Sequence, residues 1–592
     1  MDALHMPRPQ IQRSEWLCLD GEWDYKEDPE AIGLNQKWFD GLDTSDRIQV
    51  PFPPGAELSG QPFSSSKVVW FEKTFIAPDW DTEEILLTLG AADYRADIWV
   101  NGHLVGSHTG GYTPVTCVIK HAMQTGENRM VIRCEDPLTW EIPRGKQGAD
   151  TKWPIDYDAV IGLWQSVWIE PVADVHVISM QYRFEYALNS LSVLVRLSSN
   201  AHGLVRVSLG DAAAAVSAEI AGRSEVKLRF ELDDPRLWSP EDPHLYAVAC
   251  WVEREGGQPD KVTSYCGLRE VEFRRDGFYL NGQRRFLRGI LDQGYFPKGW
   301  YTPPSEEELI RDIELTLELG FNLSRKHQKV EDPRFYYWAD RLGLLVWAEM
   351  PSGRVFSSQL REDLTRQWME LVEGLQHHPS VVAWVPFNES WGVWHQTSRP
   401  EQQEWVRALY HLTKSSDPTR PVIANDGWEF VVGDAFTLHL YQQTGEALEQ
   451  ALDRLIDDPV SPIADSPGAR VGAIDTASLT DLPILITECG GVGFDPSADA
   501  TEEAFAYGEW PEDEASFKHR VADITSTLNN NEKIAGFVWT QLTDVAQETN
   551  GLLYFDRSPK IDVAWLSKHI QGLPRANAER ESRGPLKQDP FT

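Results

Sequence analysis

The chain has 592 residues, 41% of them hydrophobic, and carries 55 basic against 91 acidic side chains, a net charge of −36. That much apolar material excludes global disorder, and the length exceeds one ordinary core, so about three or four domains are expected. The acid excess repels phosphate backbones and anionic lipid, which sets nucleic-acid and membrane partners aside. Cys18, Cys117, Cys134, Cys250, Cys266 and Cys489 are scattered without a C-x-x-C pair, against a zinc module or a disulfide framework. The opening MDALHMPRPQIQRSEW has no apolar leader and no run approaches a membrane span. A cytoplasmic protein is expected, with an unconventional export route left open.

The first third reads as strands. KVVWFEKTFIA alternates, with Val69, Phe71 and Phe75 on one face, and Asn101-Gly102 in ADIWVNGHLVG gives a type I′ hairpin signal. Long loops such as DPLTWEIPRGKQGADTKWPIDYDAV separate these strands, and residues 1–172 are expected to form a β-sandwich. Residues 173–270 repeat short strands (SLSVLVRLSS, GLVRVSLG, EVKLRFEL, LYAVACWVE), the rhythm of an immunoglobulin-like sandwich.

After a second hairpin at Asn281-Gly282 the pattern changes. RRFLRGILD, FNLSRKH, LLVWAEMP, VVAWVPFNE, RPVIANDGW, AFTLHLY, LPILITECG and IAGFVWTQLTD are apolar runs, mostly with helical segments between them. The first helix is expected to carry a Ser305/Glu308 capping box behind Pro303-Pro304. The next is expected to start at Asp332-Pro333 and stop at Gly343. Apolar strands joined by helices imply parallel pairing with both faces covered. Eight of them over 271–573 fit a closed (β/α)8 barrel. An open doubly wound sheet is disfavoured, because G-x-G-x-x-G and the P-loop are missing. The residues 574–592 read as a polar tail.

Active sites of such barrels lie at the carboxyl ends of the strands. Those ends carry Asp292 and Gln293, Arg325 and His327, Glu349, Asn388 and Glu389, Asp426, His439 and Tyr441, Glu488, and Trp539. Two carboxylates on strands four and seven suit retaining glycoside hydrolysis, which needs them about 5–5.5 Å apart. Glu389 would be the acid/base and Glu488 the nucleophile, kept ionised by Tyr441 and Arg325. Asn388 would donate to the sugar 2-hydroxyl. Several residues carry a bland reading beside the functional one. Glu349 pairs with Arg325 or meets substrate. Trp391 and Asp426 are core or sugar contacts. His377-His378 caps a helix or faces solvent, ahead of any metal role. Cys489 packs.

GFNLSRKHQKVEDPRFYYWADRLGLLVWAEMP, VVAWVPFNESWG, PILITECGG and GFVWTQLTDVAQETNGLLYFDR together resemble glycoside hydrolase family 2. The N-terminal VVWFEKTF, ADIWVNGHLVGSHTGGYTP and GLWQSVWIEP are similar to its jelly-roll sugar-binding-like domain, and PRLWSPEDPHLY to its immunoglobulin-like domain. The resemblance implies a retaining exo-β-glycosidase with Glu389 as acid/base and Glu488 as nucleophile. Arg325, Asn388, Tyr441 and Trp539 take supporting roles, with no cofactor and no metal. It implies a carbohydrate substrate and leaves room for a homo-oligomer. β-Galactosidase-type specificity is the nominal expectation; β-glucuronidase, β-mannosidase, galactofuranosidase and arabinosidase specificities stay open, as does a non-catalytic carbohydrate-binding protein. Two departures bear on substrate. Family β-glucuronidases present Asn-x-Lys for the sugar carboxylate, where this chain has Glu548 and Asn550. The large β-galactosidases carry metal-binding Glu and His after strand three, where this chain reads AEMPSG. Asp292 and Gln293 in DQGYFP are expected to read the sugar ring.

Overall fold

The computed structural model describes residues 6–149, 153–464, 466–495 and 504–572. The expected tail at 574–592 lies outside the described residues. The N-terminal unit is a sandwich of a six-stranded and a four-stranded antiparallel sheet, with Val68–Ile76 and Glu127–Glu135 central in the larger one. Val69, Phe71 and Phe75 share its main core as the alternation requires, while Val68 and Trp70 fill a smaller cluster on the other face. The hairpin forms at Asn101-Gly102, both residues at positive φ (50° and 78°), the type I′ geometry that keeps the strands' right-handed twist. A second sandwich follows, of three and four strands, between Val177 and Cys266.

The barrel is preceded by a small three-stranded sheet, Val271–Arg274, Gly277–Leu280 and Gln283–Arg285, whose Phe278 and Leu280 join the inner barrel core with Leu323, Trp347, Val382 and Val538. Seven strands then pair in parallel: Val381–Val385, Leu345–Glu349, Leu323–Lys326, Leu287–Asp292, Ile534–Thr540, Ile484–Gly490 and Phe436–Leu440, in that spatial order. Seven helices alternate with them among the described residues. All five residues of Val381–Val385 are buried, so both faces of this strand are covered.

Two local expectations are corrected. RPVIANDGW forms no regular fifth strand; it closes the barrel through isolated parallel bridges, Trp384 with Val422 and Asn388 with Asp426. The chain bends there because Gly427 turns at φ 103° and Asp434 takes the Val422 amide with its carboxylate. The capping box is also not formed: Ser305 is the N-cap but its side chain accepts no amide. Glu306, Glu307 and Glu308 in the first turn offset the partial positive charge of the helix end instead. Asp332, by contrast, caps its helix by accepting from the Arg334 amide, and Gly343 ends it in the left-handed region.

The long loop of the first sandwich reaches the barrel mouth. The Arg144 and Gly145 amides both donate to the Ser352 carbonyl, at 3.1 and 2.9 Å. The Arg354 guanidinium lies 4.0 Å from the Trp140 and Trp153 ring centroids and 4.5 Å from that of Trp391, and pairs with Asp156. Among the described residues no helix is long and apolar enough to cross a membrane.

Candidate active site

Glu389 sits just past the fourth barrel strand. Glu389 and Ser390 are both left-handed, at φ 53° and 58°. Such backbone costs about 1–3 kcal/mol per non-glycine residue and persists only where surroundings over-determine it. Here the bent fifth segment does so: the Glu389 amide donates to the Asp426 carbonyl (2.9 Å), and the Ser390 amide to the Asn425 side chain (3.0 Å). The irregular segment therefore holds the Glu389 backbone in place.

Glu488 stands on the seventh strand, 3% exposed. Arg325 donates to one carboxylate oxygen at 3.1 Å and the Tyr441 hydroxyl to the other. Burial alone would raise its pKa, but the charges of His439, Arg325 and His327 and the Tyr441 hydrogen bond together hold it below the ordinary carboxylate value. Carboxylate oxygens of Glu389 and Glu488 lie within 4.8 Å of each other, with a His439 nitrogen within the same span of both.

His439 links the acidic groups. Its Nδ1 is 2.8 Å from Glu389 Oε1 and 3.6 Å from Glu488 Oε2, and its Nε2 is 3.1 Å from Asp426 Oδ2. Burial disfavours the charged ring, yet the charges of Glu488 and Asp426 and hydrogen bonds to Asp426 and Glu389 outweigh it, raising the pKa to about 10. The ring is therefore an imidazolium that donates at both nitrogens. In that state the 3.4 Å approach of Arg325 to Nε2 is a contact between two donors, not a hydrogen bond.

Arg325, fully buried, forms ion pairs with Glu349, Asp426 and Glu488 and donates to Asn388 Oδ1 at 2.7 Å. That contact fixes the Asn388 amide, whose buried Nδ2 has no partner and is free to donate. Glu349 is held down to about 2 by Arg325 and His327 against the opposing effect of burial; His327 Nδ1 lies 3.0 Å from it. Glu349 and Asp426 are thus charge partners inside the site. Trp539, wholly buried, packs its ring over Gly490, where an added Cβ would lie 2.6 Å from the indole, and its Nε1 has no partner.

Trp391 is 2% exposed and packs against Arg354 and Trp153. Asp292 pairs with Lys326 at 2.8 Å, and Gln293 donates to Gln541 and Glu548. His377 and His378 are buried, not solvent-facing, and His378 is 2.7 Å from Asp340. Cys489 packs as expected, with its thiol on the Val538 carbonyl. Sequence reasoning missed Tyr507, whose ring stacks on Tyr441 at 3.5 Å between centroids and 3° between planes. The aromatic run Phe505, Tyr507 and Trp510 ahead of a helix was its one signal. It also missed Lys146, which crosses from the first sandwich to Glu548 (2.7 Å).

Two β-sandwiches ahead of a parallel barrel, with paired carboxylates at the strand ends, define a class of modular carbohydrate-active proteins. The description "Glycosyl hydrolase 2 galactose-binding domain-like" matches residues 23–175, "Glycosyl hydrolases family 2" matches 172–269, and "Glycosyl hydrolases family 2, TIM barrel domain" matches 271–463. The chain belongs to glycoside hydrolase family 2. It is 26% identical over 443 residues to a β-glucuronidase of Paenibacillus borealis, covering 68% of this chain and 72% of that one. It is 27% identical over 371 residues to a β-galactosidase of Thermoanaerobacter pseudethanolicus, covering 60% and 48%. The chain thus spans about half the length of some curated relatives it matches. Its fold superimposes on a β-glucuronidase from Ruminococcus gnavus in complex with D-glucuronic acid, with TM-score 0.78, 21% identity, and coverage of 95% and 99%.

Proposed function

We propose that the protein is a retaining exo-β-glycosidase, nominally of β-galactosidase type, with Glu389 as acid/base and Glu488 as nucleophile. The observation that carries this reading is the approach of the two carboxylates to within 4.8 Å. Retaining enzymes need about 5–5.5 Å between carboxyl groups, whereas inverting ones need about 6.5–9.5 Å to admit a water. Glu488, ionised and held by Arg325 and Tyr441, attacks the anomeric carbon. Glu389 accepts the His439 Nδ1–H at Oε1, which leaves Oε2 as the oxygen that passes a proton to the departing oxygen. The same oxygen then takes a proton from the water that cleaves the glycosyl-enzyme. Asn388 Nδ2 and Trp539 Nε1, both without protein partners, are free to donate to the sugar; such contacts strengthen as charge develops at the ring.

Relatives named β-glucuronidase and β-galactosidase support the same chemistry and differ in the sugar. We place the protein in the cytoplasm, acting on a carbohydrate substrate and with a homo-oligomer left open; the six free cysteines support that compartment. The test is a panel of aryl β-glycosides followed by proton NMR of the first-formed sugar. A β-anomer product and a loss of about 10⁴-fold or more in Glu488→Ala are expected. An α-anomer product, or unchanged turnover in Glu488→Ala, refutes the assignment. Binding without cleavage across the panel favours a carbohydrate-binding protein.

A further inference from the structure

Beside the catalytic pair lies a second polar cluster that the mechanism does not use. The Tyr441 hydroxyl that holds Glu488 is also 3.1 Å from Thr540 Oγ1. The next residue, Gln541, donates to Glu548 Oε2 (3.0 Å) and to Asn550 Oδ1 (2.8 Å). From the end of the first barrel strand, Gln293 Nε2 donates to Gln541 Oε1 (2.7 Å) and Glu548 Oε2 (3.0 Å). Lys146, from the first sandwich, closes the cluster on Glu548 Oε1 at 2.7 Å. Gln293, Gln541, Glu548, Asn550 and Lys146 are each between 1% and 6% exposed. Yet Gln293 Oε1 and Asn550 Nδ2 are buried without a partner. An unpaired buried polar atom costs about 1–3 kcal/mol, so two of opposite type beside a nucleophile point to a ligand that completes them.

We propose that the interdomain pair Lys146–Glu548 forms one wall of the sugar pocket and, with Gln293, Gln541 and Asn550, selects a neutral, hydroxyl-bearing sugar ring over one bearing a carboxylate. The inference rests on the glycosidase reading and deepens it. Gln293 Oε1 accepts from a sugar hydroxyl and Asn550 Nδ2 donates to one. A hydroxyl is the group that does both, whereas a carboxylate only accepts. The cations nearby are matched: Lys146 by Glu548, Lys326 by Asp292 and Glu331, and Lys329 by Glu331. A uronate carboxylate entering here meets Glu548 as a like charge and must displace it from Lys146, and juxtaposed like charges are strongly disfavoured. A site built to hydrogen-bond a hydroxyl discriminates against a group that cannot complete its bonds. Lys146 is therefore a specificity-determining residue supplied by the first domain.

The experiment compares kcat/KM for 4-nitrophenyl β-D-galactopyranoside and β-D-galacturonide, which differ only at the exocyclic carbon, in the parent, Lys146→Met, Glu548→Gln and the double variant. The parent is expected to prefer the neutral sugar by about 100-fold or more. Glu548→Gln, which leaves Lys146 without its anion, is expected to narrow that ratio at least about tenfold through a gain on the uronate. Lys146→Met is expected to lower turnover of the neutral sugar, with part of it recovered in the double variant, because the singly mutated pocket buries an uncompensated carboxylate. A parent that prefers the uronate, or a ratio unmoved in every variant that retains parental circular dichroism, overturns the proposal. If only Lys146→Met folds, its effect on the ratio decides. A parent inert on both sugars refutes the β-galactosidase-type reading instead. Calorimetric titration with galactose and galacturonate then decides the pocket's preference, which equal or tighter binding of galacturonate overturns.

Discussion

Replacing His439 with glutamine isolates the effect of the positive charge that sits between Glu389 and Glu488, the proposed catalytic carboxylates. The imidazolium lies 3.6 Å from Glu488 Oε2, and its charge is the largest of the effects that keep Glu488 ionised against the opposing effect of burial. At an effective dielectric of about 20, a unit charge at that distance is worth about 5 kcal/mol, a ceiling because Arg325 remains. By that ceiling the rate through Glu488 could fall at most about three decades, and a fall of about 10²-fold in kcat/KM is expected. The sign is set by linkage: without the cation the folded-state pKa of Glu488 rises, so its ionised form is lost at higher pH than in the parent. The acid limb of the kcat/KM profile must therefore move toward neutral pH, while the loss is smallest on the alkaline side. The assay is initial rates on an activated aryl glycoside from pH 4 to pH 9, with circular dichroism to confirm the fold. An acid limb in the same place, with less than about a tenfold loss, would refute the claim that His439 keeps the nucleophile charged.

Further consequences follow from buried charge elsewhere. His439 itself, raised from the ordinary 6.5 to about 10, contributes stability that is complete below its unfolded value and is lost as pH rises through about 10. The gap is worth about 5 kcal/mol, so the urea midpoint should fall between pH 7 and pH 10 more steeply in the parent than in His439→Gln. Asp93 is 2% exposed and pushed up to about 8, by burial first and then by the charge of Asp136. Because a raised carboxyl loses stability as pH rises toward that value, Asp93→Asn should stabilise the protein at pH 8 and the gain should shrink toward pH 5, as read by thermal melts. Arg354→Met removes the partner of a buried carboxylate, Asp156, and the cation between three indoles. A cost of about 3–5 kcal/mol is expected, seen as faster proteolysis within residues 137–161 before the barrel is cut. Equal cleavage rates would show that the loop docks without this cation.

What the sequence disclosed about the site followed from how much each feature depends on local chemistry. The apolar runs ending in Glu389 and Glu488 were legible because a strand buried on both faces admits few polar residues, and those at its tip stand out. Both Asn-Gly hairpins were legible because type I′ turns need positive φ at two residues, which Asn and Gly tolerate. The fifth strand was misread because its apolar Val422-Ile423-Ala424 satisfies a strand pattern while Gly427 and Asp434 break the ladder within a few residues. Trp391 stood open between core packing and sugar contact, and its ring packs on Arg354 and Trp153, partners remote in the chain. Lys146 had no local signal at all; its role exists only once the first sandwich meets the barrel.

That dependence on distant partners makes the N-terminal sandwich part of the proposed sugar site. Its loop supplies two backbone donors to Ser352, Asp156 and two indoles to Arg354, and Lys146 to Glu548. Ser352 and Arg354 follow the third barrel strand, whereas Glu548 follows the eighth, so one loop braces two sides of the mouth. In the barrel alone Glu548 loses its cation Lys146, and the mouth loses these braces. A barrel fragment beginning near residue 271 is therefore expected to lose sugar binding even where it retains helical circular dichroism. Adding back the N-terminal sandwich in trans should restore it only with Lys146 intact. Full sugar affinity in the isolated barrel would show that the loop covers the mouth without shaping it.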